Sequence, residues 1–157
     1  MLVGYFKGVR LGLGDPRDVA GERGYDGSRL RVMYLDVLDE YAFFFSKKRD
    51  MVFHNYMMEL IISWFGLVPN LKIYSSGDNP PVPDFEINHV FFEVESGLKH
   101  DLKPLISRLR KYPNFFYVVV PNASVKARYR AELPVFHGRL LTLKELKGYV
   151  DSGISLF

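Results

Sequence analysis

Residues 83–95 read Pro83-Asp84-Phe85-Glu86-Ile87-Asn88-His89-Val90-Phe91-Phe92-Glu93-Val94-Glu95. Successive side chains of a strand point to opposite faces, and Asn88-His89 suits a two-residue turn because Asn tolerates the left-handed backbone such turns need. Folded there, the segment pairs Ile87 with Val90, Phe85 with Phe92 and Asp84 with Glu93. One face then carries Phe85, Ile87, Val90, Phe92 and Val94. The other carries Asp84, Glu86, Glu93 and Glu95, with Phe91 among them. Cross-strand neighbours sit about 4.5–5.5 Å apart at their Cβ atoms, so these acids repel unless a cation or a proton resolves the crowding. A bound divalent metal is the simplest resolution.

Downstream, the apolar run 115–120 has the length and composition of a strand buried on both faces. Between it and the hairpin lies a helical pattern near 103–112, with Pro104 in its first turn and Leu105, Ile106 and Leu109 on its inner face. Strand, helix and buried strand form a crossover unit, expected to be right-handed and to set 91–95 parallel to 115–120. Ser124 is a candidate cap for a further helix to about Ala131. A short strand is expected near 135–137, after Pro134, and Thr142 with Glu145 matches the capping box of a last helix.

Upstream, Asp50 suits the cap of a helix over Met51–Phe65, stopped by Gly66 and Pro69. Asn55, Glu59 and Ser63 recur at i, i+4, i+8 and form its single polar stripe. Residues 71–74 read as a short strand. At the start, residues 1–8 read as a strand and residues 9–29, with five glycines, as a long loop. Gly12-Leu13-Gly14 lacks the Gly-Lys-Ser/Thr that would make it a phosphate loop. Residues 31–38 and 41–45 read as a hairpin turning near Asp39-Glu40.

A chain of 157 residues, 48% hydrophobic and 15% aromatic, has enough apolar material for one folded domain and is a poor candidate for disorder. Absence of cysteine excludes disulfides and thiolate metal sites. No apolar run approaches the roughly 18 residues of a membrane span, and the start lacks a signal-peptide pattern, so a soluble, cytoplasmic protein without a membrane partner is expected. Net charge is +3. Its distribution is uneven: Lys99, Lys103, Arg108, Arg110, Lys111, Lys126, Arg128 and Arg130 face a single acid, Asp101, between residues 99 and 130. A basic block of this kind suits a polyanion such as nucleic acid.

From residue 50 to 120 the order is thus helix, strand, strand, strand, helix, strand, with Pro83-Asp84 on one strand and Glu93-Val94-Glu95 on its neighbour. In these residues the chain resembles the PD-(D/E)xK nuclease superfamily. Small size, absence of cysteine and high aromatic content are also similar to nucleases of archaeal filamentous viruses. The resemblance implies an α/β (α+β) fold with a mixed central sheet flanked by helices, a restriction-endonuclease-like core at about 50–120, and additions at 1–49 and 121–157. It implies a Mg²⁺-dependent deoxyribonuclease, with Mn²⁺ as a substitute, hydrolysing double-stranded DNA with little sequence specificity. If the chain is viral, the protein is expected in the cytoplasm of the host cell.

Carried over residue by residue, the resemblance makes Asp84 and Glu93 the metal ligands, with Glu59 of the preceding helix as a further candidate. Where the family pattern has lysine this chain has Glu95, so Lys99 or Lys103 is the candidate to stabilise charge on the phosphate. Glu86 lies on the face of Asp84, roughly 6.6 Å along the strand, and is a ligand in its own right or a replacement if the strand bulges near the prolines. Glu86 and Glu95 are the candidate bases. Lys103, Arg108, Lys111, Lys126, Arg128 and Arg130 are the candidates for the DNA backbone. His54, His89, His100 and His137 show no paired ligand spacing. Two other readings stay open: an inactive DNA-binding module on the same scaffold, suggested by the missing lysine, and a viral structural or interaction protein using the acid face as a protein contact. Endo- or exonuclease action, DNA or RNA, one or two metals and a homodimer also stay open.

Overall fold

The structure, a computed structural model, describes residues 2–6, 9–13, 30–45, 51–66, 68–74, 82–98, 101–113, 115–133 and 139–153. In chain order the elements are β1 (Leu2–Phe6), β2 (Val9–Leu13), β3 (Leu30–Leu35), β4 (Glu40–Phe45), α1 (Met51–Phe65), β5 (Leu71–Ile73), β6 (Phe85–Ile87), β7 (Val90–Val94), α2 (Lys103–Leu109), β8 (Phe116–Val120), α3 (Ala123–Glu132), β9 (Arg139–Thr142) and α4 (Leu143–Asp151). They make a mixed α and β protein with two sheets. One has four strands in the order β2-β1-β4-β3, the other five in the order β5-β6-β7-β8-β9.

The five-stranded sheet grows from the hairpin. Asn88 and His89 both take positive φ, 50° and 68°, as a tight two-residue turn requires. The β6–β7 ladder then runs from Ile87↔Val90 to Phe85↔Phe92. β5 joins β6 antiparallel, and β8 joins β7 in parallel with Glu93 level with Val118. The helix–meander–helix–strand order expected for 50–120 is present in α1, β5, β6, β7, α2 and β8.

Alternation along these strands sorts their side chains into two cores. Phe85, Ile87, Val90, Phe92 and Val94 pack with Phe53, Met57 and Ile61 of α1 and with Leu143 and Leu146 of α4. Phe92 stacks on Phe85 and Tyr117 at centroid distances of 4.6 and 5.4 Å. On the opposite face Phe116, Val118 and Val120 of β8 pack with Leu105 and Leu109 of α2 and with Val125 and Tyr129 of α3. β8 is buried at every residue because it serves both cores.

Several boundaries depart from the sequence reading. Residues 9–13, expected in a loop, form β2 instead; Gly12 lies level with Gly4, so the glycines sit in a ladder. Residues 14–29 lie outside the described residues, as do Asp50 and the strand expected at 135–137. The last strand is β9, formed by the residues just before α4 and parallel to β8. α2 ends at Leu109, three residues short of the expected end. α3 is capped by Asn122, whose side chain accepts from the Val125 N–H at 3.0 Å, and not by Ser124. The α4 capping box of Thr142 and Glu145 is formed as expected.

The four-stranded sheet is fastened to this unit at one corner. Leu35 and Ala42 enter the α1 core. Asn122 Nδ2 donates to the Tyr34 carbonyl at 2.8 Å, the Asp36 N–H to the Pro121 carbonyl at 3.1 Å, and the Lys144 N–H to Asp36 Oδ1 at 3.0 Å.

Candidate active site

Asp84 stands just before β6, and Glu93 sits near the end of β7, where β7 and β8 run in parallel. That position is the carboxyl end of parallel strands, where open α/β sheets place their ligands. The two acids are not a ladder pair, since the register stops at Phe85↔Phe92 and the Asp84 N–H bonds the Phe92 carbonyl at 3.1 Å. The Asp84 side chain instead leans across the strand end, and its Oδ2 accepts from the Val94 N–H at 2.7 Å.

Helices from both layers reach this point. His54, in the first turn of α1, places Nε2 3.1 Å from Asp84 Oδ1. From the other face, Arg108 of α2 lays its guanidinium along Glu93, with Nε donating to Oε1 at 2.8 Å and Nη2 lying 3.4 Å from Oε2. Tyr112, one turn further on, donates its hydroxyl to the same Oε1. The Glu93 side chain is 2% exposed, whereas that of Arg108 is 32% exposed.

These contacts set the charges. Burial pushes the Glu93 carboxyl up, and the charge of Asp84 pushes it further; Arg108 and Tyr112 oppose this, leaving it at about 7. Burial also works to raise Asp84, but hydrogen bonds from His54, the Val94 N–H and Glu93 outweigh it and hold Asp84 below the usual range. For His54 burial favours the neutral ring, and Asp84 overcomes this to raise its basicity. The raised basicity of Glu93 and the neighbouring donors of Arg108 and His54 thus ease the crowding in part.

The remaining expected site residues divide clearly. Glu95 is buried on the same strand face as Glu93, and its charge acts on His54, Arg108 and Tyr129. Glu86 lies level with Phe91 and Lys72, one step towards the turn, and accepts from the Tyr74 hydroxyl. Glu59 sits on the exposed stripe of α1 with Asn55 and Ser63; the α1 side chain that meets Asp84 is His54. Lys99 lies outside the described residues.

Among the basic residues, Lys103, Lys111 and Arg130 are exposed. Three others turn to partners within the chain. Arg108 lies on Glu93, Lys126 holds both oxygens of Glu145 at 2.8 and 2.9 Å, and Arg128 donates to the Gly97 carbonyl. The expected basic block is thus broken, because the buried Glu93, the half-exposed Glu145 and the Gly97 carbonyl hold three of its side chains.

Comparison with protein-family models, with curated proteins and with solved structures found no match for this chain.

The sequence reads Arg108 as a DNA-backbone contact and gives no site role to His54 or Tyr112; the structure sets all three against Asp84 and Glu93. His54 shows no paired ligand spacing because its partner lies thirty residues on, before β6. Arg108 and Tyr112 carry a usable signal, being spaced i, i+4 within the helix that the sequence predicts over 103–112, although α2 itself ends at Leu109. Among the described residues no three His, Asp or Glu side chains are arranged as a metal cage. The donor set nevertheless suits a hard divalent cation, which takes one or two carboxylates and completes its shell with water and phosphate. The repulsion between Asp84 and Glu93 is the kind such a cation relieves.

Proposed function

We infer that this chain is a metal-dependent nuclease that hydrolyses phosphodiester bonds of double-stranded DNA with little sequence preference, on a restriction-endonuclease-like core spanning α1 to β8. The observation that carries this reading is that Asp84, held by the Val94 N–H at 2.7 Å, and Glu93 come together at the carboxyl end of the parallel strands, in the order α1, β5, β6, β7, α2, β8. Asp84 and Glu93 would hold Mg²⁺, with Mn²⁺ as a substitute, and Glu86 and Glu95 stand nearest on the same strands. When bound, the cation polarises the phosphate and acidifies a water. The chain's own groups do the rest. His54 and the Val94 N–H hold Asp84 ionised and oriented, while Lys103, Lys111 and Arg130 offer exposed charge to the backbone.

Linear and plasmid DNA incubated with the protein in Mg²⁺, Mn²⁺ or EDTA tests this directly. Cleavage should require metal and fall by about 10²-fold or more in Asp84→Ala and Glu93→Ala. Clean wild-type protein that cuts neither substrate with either metal would sink the reading.

One observation favours a second reading, a DNA-binding module without catalysis: among the described residues the basic group lying against Glu93 is an arginine held in an ion pair, not a lysine. It predicts salt-sensitive DNA binding that survives loss of both acids, with no cleavage in the wild type.

A further inference from the structure

Glu95 stands where the resemblance expects a lysine, and of the two lysines that could take its place Lys99 lies outside the described residues. Resting on the nuclease reading, we propose that Arg108 of α2 is a catalytic residue that binds the non-bridging oxygens of the scissile phosphate.

Four observations converge on it. Arg108 comes from the crossover helix and reaches the Asp84–Glu93 pair, with its Nε 2.8 Å from Glu93 Oε1. Two of the five donors of a guanidinium are spent on Glu93, which leaves the rest of the planar fork for a second acceptor. Its side chain is 32% exposed where Glu93 is 2% exposed, so the guanidinium spans the distance from buried carboxylate to solvent. The other described candidate, Lys103, is an exposed residue at the start of α2, more than one helical turn before Arg108.

Energetics argue in the same direction. A half-buried Arg–Glu pair adds little stability over apolar side chains of similar volume, because desolvation offsets the attraction. Its place at the strand ends suits a ligand that needs a rigid, permanently charged fork. In hydrolysis the oxygen of water bonds to phosphorus as one phosphorus–oxygen ester bond breaks. The water proton passes to a carboxylate base, and the departing oxygen takes a proton from solvent. Charge gathers on the non-bridging oxygens, where a guanidinium donates two parallel hydrogen bonds. Glu93, clamped by the Tyr112 hydroxyl, keeps that fork aimed.

Wild type, Arg108→Lys, Arg108→Gln and Arg108→Ala are compared for melting, for DNA binding in EDTA and for single-turnover cleavage at saturating DNA with Mn²⁺. Arg108→Lys keeps a cation beside Glu93, so it should melt near wild type and bind DNA within about threefold, yet cleave about 10²–10³-fold more slowly. Added guanidinium at millimolar concentration should restore part of the cleavage of Arg108→Ala and none of that of Arg108→Lys. Cleavage by Arg108→Lys within about threefold of a wild type that itself cuts DNA would overturn the proposal. So would folded Arg108→Ala that guanidinium fails to rescue. A wild type inactive with either metal removes the nuclease reading itself and Arg108 with it, a distinct result. If Arg108→Gln and Arg108→Ala fail to fold, Arg108→Lys alone decides.

Discussion

Glu93 keeps its proton to about pH 7 in the folded protein, whereas an unperturbed glutamate releases it near 4.5. Between those values the folded state binds more protons than the unfolded chain, so stability falls as pH rises. His54 acts in the same sense: its pKa is raised above 6.5, so its contribution is present below that value and is lost as pH rises through the folded pKa. Asp84, held low, stabilises above its ordinary 3.8 and loses this only in stronger acid. In EDTA the melting temperature should therefore fall from about pH 5 to about pH 8, and Glu93→Gln should flatten the fall. An unchanged slope in Glu93→Gln would show that the proton is held elsewhere. The same proton competes with a divalent cation, so Mn²⁺ affinity measured calorimetrically should weaken below about pH 7. At this scale the acids were legible from strand alternation alone, since the register that buries Phe85 and Phe92 must place Glu86, Glu93 and Glu95 together. Their partners were not. Arg108 reads as a DNA-backbone contact because sequence reveals the sign of a side chain and not which acid it will meet across a layer.

Gly97, two residues past the buried Glu95, shows what holds β7 against α3. It takes a φ of +82°, and a Cβ added there would lie 2.8 Å from both methyls of Val125. Gly97→Ala therefore meets left-handed strain and overpacking together, and should cost about 2–4 kcal/mol in urea unfolding. In the double variant with Val125→Ala the two losses should be less than additive, since the smaller residue makes room; strict additivity would disprove the clash. The carbonyl of Gly97 accepts from Arg128, so the same turn draws one of the basic residues inward. Element identities between 51 and 120 were legible because period and turn chemistry agree there. Beyond 120 the signals competed. Asn122 and Ser124 are both good caps, and only the 3.0 Å bond from the Val125 N–H selects Asn122. β9 was missed because its partner β8 lies some twenty residues back, and parallel pairing leaves no local turn to read. β2 was masked by Gly12, whose weak strand preference is overridden by its pairing with β1.

Across the whole molecule, the corner joining the two sheets rests on Asn122, which caps α3 and holds the Tyr34 carbonyl at 2.8 Å. Asn122→Ala removes both and should cost about 2 kcal/mol, read as a drop in urea midpoint without a change in slope. A changed slope would mean that the four-stranded sheet unfolds separately. The distribution of cations carries the remaining test. A row of six solvated residues, as the sequence suggests, would release counterions on DNA with a slope of log K against log salt of about −5. With Lys126 and Arg128 engaged inside the chain, Lys103, Lys111 and Arg130 remain together with Arg108 at the scissile phosphate, and the slope should be about −3.5. Fluorescence anisotropy of labelled duplex DNA in EDTA, titrated at several salt concentrations, separates the two values. Replacing Lys103, Lys111 and Arg130 together by alanine should bring the slope to about −1 while leaving the melting temperature near that of the wild type, because exposed charges add little to stability. A slope left unchanged in the triple variant would place the DNA on another face of the molecule and detach the basic block from the Asp84–Glu93 site.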